Sequence, residues 1–154
     1  MATISTVQRS AGFQRLLQLF IRYQEGLPPM LRGCDLDAEL PEIERHYGPP
    51  HVAFIAEIGG ISIGCVALAR FSDTTAIVKR LYVVPEHRGV GVAKELMATL
   101  LATARMRGYT RIVLDTEREH LRHAYRFYLS LGFSECAPYA AVDYATPTFM
   151  ELTL

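Results

Sequence analysis

Two glycines beside an arginine form the most informative cluster of residues in the sequence. The stretch LYVVPEHRGVGVAKEL, residues 81–96, predicts a buried strand, a short turn with Arg88, Gly89 and Gly91, and the start of a long helix. The first N–H groups of a helix have no acceptor within it, and the helix dipole adds partial positive charge there. Glycine lets the backbone approach a ligand closely, and Arg88 adds a cation. The sequence therefore predicts an anion site, for which a diphosphate is the natural ligand.

The glycine turn has other interpretations. A plain turn from strand to helix would also use two glycines, so the glycines alone do not separate the two possibilities. A P-loop is excluded because the sequence contains no GxxxxGK[ST] motif. A dinucleotide site of the Rossmann type is disfavoured because the spacing reads GxGxA, without a third glycine at the expected place.

The elements around this turn follow from hydrophobic periodicity and turn residues. We expect a short strand at 4–7, a helix at 10–24 with Ser10 as its N-cap, and a shorter helix near 37–46. Strands at 51–58 and 61–71 flank Gly59-Gly60, a hairpin signal, and a third strand follows at 76–84. The rest predicts a helix from the glycine turn to Arg107, a strand at 111–116, a helix at 120–131, and strands near 133–136 and 148–154. This order predicts a mixed α/β fold.

Composition limits the classes of function. The chain has 154 residues, typical of one domain, which we predict to span 1–154. Its 16 Lys and Arg balance 16 Asp and Glu, which gives no support to nucleic-acid binding or to attachment to an anionic membrane. Three distant cysteines (Cys34, Cys65 and Cys136) without a CxxC motif indicate reduced thiols, and no targeting segment is visible. We therefore expect a cytoplasmic protein.

Two sequence motifs, which follow one another along the chain, resemble motifs of the GNAT family of N-acetyltransferases. Arg88-Gly-Val-Gly-Val-Ala matches the family's R/Q-x-x-G-x-G/A signature, with Ala93 in the last position. LYVVPEHRGVG is similar to the L-y-V-x-P-x-x-R-G-x-G block, and AYRFYLSLGF to the later A-x-x-x-Y-x-x-x-G-F block. KRLYV, LDT and the closing FMEL resemble one bacterial branch of small GNAT proteins. The resemblance implies the GNAT fold, a twisted, mostly antiparallel sheet with helices on both faces.

The resemblance also implies that acetyl-CoA is the co-substrate and that it binds between the diverging fourth and fifth strands. Pantetheine would lie along the backbone of Leu81, Tyr82 and Val83. The diphosphate would lie on the N–H groups of the turn, which the resemblance assigns to Arg88, Gly89, Val90, Gly91, Val92 and Ala93. Direct acetyl transfer to an amine requires a neutral amine, a polarised carbonyl and a protonated leaving thiolate. No metal is needed, and no pair of residues has metal-ligand spacing.

Tyr128 is the candidate general acid, because it occupies the tyrosine position of the second block that often protonates the CoA thiolate in the family. From spacing alone, Tyr128 would be a packing residue on a partly apolar helix. Many relatives carry a glutamate base on the strand before KRLYV, where this chain has Ile77. Asp115, Glu117, Glu119 and His120 are possible substitutes, although each is more typical of a helix cap, a strand end or a solvated charge.

Other departures and candidates remain. Leu121 replaces an asparagine that contacts the cofactor in many members, and Arg122, His123 and Arg126 are candidates for contacts to the CoA 3′-phosphate or ribose. Lys79 and Arg80 should face opposite sides of their strand, so that one could meet the substrate. His46 and His51 are candidates for the lining of an acceptor pocket.

The predicted function is direct N-acetyl transfer from acetyl-CoA to a primary amine of a small molecule or peptide. The alternative is a non-catalytic acyl-CoA-binding sensor or partner module, which the changes at Ile77 and Leu121 favour modestly. The resemblance is also compatible with a homodimer. The acceptor depends on the terminal segments, where the resemblance is weakest.

Overall fold

Seven strands form one sheet in the computed structural model, which describes residues 1–32 and 34–154. The strands are β1 (Thr3–Thr6), β2 (Val52–Ile58), β3 (Ile61–Arg70), β4 (Thr75–Val83), β5 (Arg111–Thr116), β6 (Ser134–Glu135) and β7 (Thr148–Thr153). Their order in the sheet is β1-β2-β3-β4-β5-β7-β6. The pairing of β4 with β5 is parallel, and the others are antiparallel. The prediction of a mixed α/β, mostly antiparallel sheet is confirmed.

In the described part of the chain, five α-helices cover this sheet: α1 (Ser10–Gly26), α2 (Cys34–Glu39), α3 (Ile43–Tyr47), α4 (Val92–Met106) and α5 (Arg122–Ser130). Every residue of β3 from Ile63 to Ala69 is buried, so both faces of the sheet are covered there, because strand side chains alternate between faces. The apolar stripes of α1 and α4 supply the core through fully buried Leu16, Phe20, Leu96, Met97 and Leu100.

The pairing between β4 and β5 is short. It covers only Thr75 to Ile77 on β4 and Arg111 to Val113 on β5, although β4 continues to Val83 and β5 to Thr116. A β-bulge at Arg80, which has φ +58°, shifts the register between β4 and β3. Because a bulge bends its strand and strengthens the local twist, the end of β4 turns away from β5 and leaves a gap.

Two predictions about the N-terminal helices are wrong in detail. Ser10 is the first helical residue rather than the N-cap, and its hydroxyl donates a hydrogen bond to Glu44 (3.2 Å). The single helix predicted at 37–46 is divided into α2 and α3 by a 3-10 turn at Leu40–Glu42. Pro41 explains the division, because it has no N–H to donate within a continuous helix.

The structure bears on two further expectations. Among the described residues, no helix combines the length and apolarity needed to cross a bilayer. Cys65 is buried and Cys136 half-buried, and both are free thiols, whereas the Cys34 side chain lies outside the described part of the chain.

A partly buried ionic network joins the N-terminal helices to the bulge of β4. The Arg80 guanidinium donates to Glu39 Oε2 (3.3 Å) and to Tyr47 Oη (3.2 Å), and the Tyr47 hydroxyl donates to Glu39. The side chains of Arg80 and Glu39 are only 19% and 12% exposed. Because removing one partner of a buried pair leaves an uncompensated charge, Glu39 should be important for seating α2 on the sheet.

We therefore predict that Glu39→Gln lowers the free energy of unfolding by about 3 kcal/mol, the low end of the range for breaking a buried pair. Glu42→Gln is the matched control, because Glu42 forms an ion pair with Arg45 in which both side chains are more than half exposed. The control should cost less than about 1 kcal/mol. Urea unfolding followed by circular dichroism measures both variants, and equal costs would contradict the importance of the network.

Candidate active site

A cavity of about 700 Å³ opens where β4 and β5 diverge. This volume is within the usual range for small-molecule sites. It is lined by the end of α1, by β4 from Ile77 to Val83, by the glycine turn, by the start of α5 and by the loop between β6 and β7. All but one of the predicted site residues line this cavity. They are Leu81, Tyr82, Val83, Arg88, Gly89, Gly91, Val92, Ala93 and Tyr128. The exception is Val90, which is 74% exposed and is not among the described residues that line the cavity. Its predicted contribution is its backbone N–H in the glycine turn.

The glycine turn has the geometry of an anion cradle. Gly91 is the N-cap of α4 with φ +92°, and Gly89 has φ +81°, conformations that side chains disfavour. The first helical hydrogen bond runs from Glu95 N–H to the Gly91 carbonyl (3.0 Å). The N–H groups before Glu95 in this turn therefore have no helical acceptor, and α4 directs its positive dipole end toward the cavity.

The arginine of the turn is held in place by the end of β4. Arg88 Nε donates to the Val83 carbonyl (2.7 Å), and its guanidinium lies over the Tyr82 ring, 5.6 Å from the centroid. Both contacts restrict the side chain at the rim of the cavity. The cation is thereby pre-positioned beside the helix N-terminus, where a phosphate would receive both charge and N–H donors.

Tyr128 projects from α5 into the same cavity. Its ring packs against Phe127 and Phe133, with centroids 5.8 Å away in each case, so packing and cavity lining coexist in one residue. Burial raises the pKa of the Tyr128 hydroxyl above its ordinary value, and the charges of Tyr23 and Asp115 act in the same direction. The phenol is therefore neutral and able to donate a proton at physiological pH.

A carboxylate with two tyrosine partners lies at the end of β5. Asp115 accepts hydrogen bonds from the hydroxyls of Tyr139 (3.0 Å) and Tyr144 (2.7 Å), which come from the loop between β6 and β7. All three residues line the cavity. Burial, followed by the Asp115 charge, raises the pKa of both tyrosines, so they remain donors to the carboxylate.

Of the acidic candidates near α5, Glu117 is a structural cap. Its buried carboxylate accepts hydrogen bonds from the N–H groups of Glu119 and His120, both at 2.9 Å, and contacts the His120 ring. Burial would raise the pKa of Glu117, but these partners hold it below its ordinary value. Glu117, Glu119 and His120 offer ligand atoms within 4.8 Å of one another, and each Glu117 oxygen accepts one backbone N–H. Ile77, in the family's glutamate position, lines the cavity.

Several other candidates are corrected or placed. Lys79 and Arg80 do not face opposite sides, because the bulge at Arg80 interrupts the alternation and brings both side chains to Glu39. Neither His46 nor His51 belongs to the described lining of the cavity, and His51 Nδ1 instead accepts the Arg70 N–H (3.0 Å).

Near the start of α5, the cavity is lined by Leu121, Arg122 and His123, whereas Arg126 lies outside its described lining. Sequence reasoning missed Tyr23, Tyr139 and Tyr144 as lining residues. These tyrosines lie far from the two motifs in the sequence, so the motifs do not point to them. The one feature of the sequence that could have indicated the last two is a pair of tyrosines in the polar segment before β7.

Comparisons with known proteins agree with this geometry. The acetyltransferase (GNAT) family model matches residues 13–133. An uncharacterised N-acetyltransferase of Schizosaccharomyces pombe is 35% identical over 155 aligned residues, which cover 99% of this chain and 94% of the relative. Several mammalian N-acetyltransferases also match, but the chain spans only 38% to 59% of their length.

Solved structures show the same fold. An acetyltransferase of Streptococcus agalactiae superimposes with a TM-score of 0.80 at 26% identity, covering 99% of this chain and 98% of the other. An acetyltransferase of Salmonella typhimurium, solved with its cofactor acetyl-CoA, gives 0.76 at 23% identity, covering 99% and 93%.

These matches define the class of the protein as N-acetyltransferase. The chain belongs to the acetyltransferase (GNAT) family, and the predicted fold and enzyme class are both confirmed.

Proposed function

We propose that this enzyme transfers the acetyl group of acetyl-CoA directly to a primary amine bound in the same cavity. The observation that carries the proposal is that the glycine turn at the start of α4 and the Tyr128 side chain line one cavity, at the gap between β4 and β5. The structural neighbour with acetyl-CoA supports the choice of co-substrate. The diphosphate would bind the N–H groups of the turn and Arg88, and pantetheine would follow the backbone of Leu81 to Val83.

The chemistry needs one bond to form and one to break. The neutral amine, whose extra proton has passed to water, attacks the thioester carbon, so a C–N bond forms and the carbonyl electrons move to oxygen. When the carbonyl re-forms, the C–S bond breaks and the sulfur leaves with the electron pair. Tyr128 gives its proton to that sulfur and regains one from the nitrogen, which yields the amide and free CoA thiol. The phenol is neutral and therefore carries the proton that the leaving sulfur needs.

A non-catalytic acyl-CoA-binding module would bind the same ligand at the same turn. It differs from the enzyme in turnover, because only the enzyme releases CoA thiol when an amine is added. The Asp115 carboxylate and its tyrosine partners in the cavity favour the enzyme, since a pure CoA-binding module needs no polar site for a second substrate.

We predict that acetyl-CoA at 100 times its dissociation constant stabilises the protein by about 2.7 kcal/mol. For a chain of this size the melting temperature should rise by roughly 5–10 °C. Gly91→Glu should abolish the shift, because its carboxylate would enter the diphosphate site.

The control is Gly91→Ala, which shares the backbone strain of a side chain at φ +92° but adds no charge, and a Cβ there meets no protein atom within 4 Å. It should keep most of the shift. An equal shift in wild type and Gly91→Glu would contradict the placement of the cofactor.

We predict that Tyr128→Phe lowers kcat by about 10²–10⁴-fold, the usual contribution of a general acid. The affinity for acetyl-CoA should change little, because the ring and its packing against Phe133 are kept. Thiol release in the presence of an amine panel measures kcat, and the thermal shift reports binding. A loss smaller than threefold would show that Tyr128 serves packing alone.

A further inference from the structure

Two side chains of opposite charge project from the same face of the sheet at the gap between β4 and β5. Ile77 and Val113 form the last pair of the two strands, and paired residues project to the same face. Side chains alternate along a strand, so Lys79 and Asp115, each two residues further on, project to that face as well. The bulge at Arg80 comes after Lys79 and leaves this alternation intact.

The wall formed by the end of β5 is negative. Asp115 receives neutral donors from Tyr139 and Tyr144, one on each carboxylate oxygen, and each oxygen retains a second acceptor position. Among the residues that the structure describes, no cation forms an ion pair with Asp115. Asp143 lines the cavity from the same loop. This wall is therefore suited to a cationic group of a ligand.

The wall formed by β4 is positive. Glu39 is shared by two cations: Arg80 Nη2 lies 3.3 Å from Glu39 Oε2, and Lys79 Nζ lies 4.0 Å from Oε1. One carboxylate thus balances two positive charges. Lys79 has the longer contact and the more exposed side chain, at 34% against 19% for Arg80. Lys79 is therefore the cation that remains available to an anionic group.

The charges of Arg80 on β4 and of Asp115 on β5 both act on the buried Tyr23 hydroxyl. Burial raises the pKa of its hydroxyl, the Arg80 charge lowers it, and the Asp115 charge raises it. Asp115 and Tyr128 line the same cavity, so the negative wall and the candidate general acid face one space. An ammonium group held at Asp115 would therefore lie close to the reacting thioester once it loses its proton.

We propose that the acceptor is a free amino acid, with its ammonium group bound by Asp115 and its carboxylate bound by Lys79. This proposal rests on the proposed acetyl transfer and adds the class of the acceptor. A small zwitterion offers one charged group to each wall of this cavity, whereas a simple amine would leave Lys79 without its ligand. A peptide amino terminus would carry an uncharged amide in place of the carboxylate.

The test compares matched acceptors that differ only in the carboxylate. The pairs are L-phenylalanine with 2-phenylethylamine, L-leucine with 3-methylbutylamine, and L-histidine with histamine. The twenty common amino acids are assayed beside them, with acetyl-CoA and a thiol readout. We expect the amino acid of at least one pair to exceed its amine in kcat/KM by about tenfold or more, because a charge-assisted contact is lost in the amine.

Three variants separate the two walls. Lys79→Met should reduce the preference for the carboxylate to less than about threefold and raise KM for the amino acid, while Lys79→Arg should keep the preference. Asp115→Asn should lower kcat/KM for both members of a pair by about tenfold or more. Arg45→Met is the control, because it removes a surface cation that is 79% exposed and should leave the preference unchanged. The thermal shift with acetyl-CoA should persist in all of them and shows that each variant is folded.

Three outcomes would overturn the proposal. The first is an equal or faster reaction of the amines that lack a carboxylate. The second is a Lys79→Met variant that slows both members of a pair alike. The third is the absence of turnover with every amino acid. If acetyl-CoA still stabilises the protein in that case, only the acceptor class fails. If acetyl-CoA neither binds nor releases thiol, the proposed function itself fails.

Discussion

The parting of β4 from β5 is the constraint on which the candidate site depends. Parallel pairing lasts for three residue pairs, and both strands then continue without each other. Backbone groups in the gap are freed from the ladder and face a cavity. The divergence also separates the start of α4 from the end of β5, so one cavity is lined by the glycine turn on one side and by the end of β5 on the other. A continuous ladder would close this space.

The bulge at Arg80 connects this divergence to the N-terminal helices. An arginine at φ +58° within a strand directs its guanidinium away from the regular alternation and into contact with Glu39 and Tyr47. The same network joins α2 to β4, because Glu39 contacts both Lys79 and Arg80. Opposite this wall, Asp115 is supported by tyrosines from a loop that has little other regular structure. The part of the cavity that we propose for the acceptor is thus built from segments distant in sequence, whereas the part that we propose for the cofactor is contiguous.

This difference explains which features could be predicted from sequence. The glycine turn, the end of the strand before it and the start of the helix after it lie within residues 81–96, so local spacing is sufficient to predict these elements, and the anion site there stays a prediction. The strands of the Gly59-Gly60 hairpin were equally readable, because turn residues and hydrophobic runs determine such elements locally.

Long-range features were not readable in the same way. The bulge at Arg80 depends on register with β3, and the prediction that Lys79 and Arg80 face opposite sides was wrong because regular alternation was assumed. The partnership of Asp115 with Tyr139 and Tyr144 joins residues 24 and 29 positions apart, beyond the reach of any periodicity. Asp115 itself was among the candidates, but its tyrosine partners were not.

A crystal structure of the protein with bound acetyl-CoA tests the central claim most directly. We expect the diphosphate oxygens to lie within hydrogen-bond distance of the N–H groups from Gly89 to Ala93. We also expect pantetheine beside Leu81 to Val83 and the thioester sulfur within reach of the Tyr128 hydroxyl. Acetyl-CoA bound elsewhere, or a thioester turned away from the cavity between β4 and β5, would contradict it.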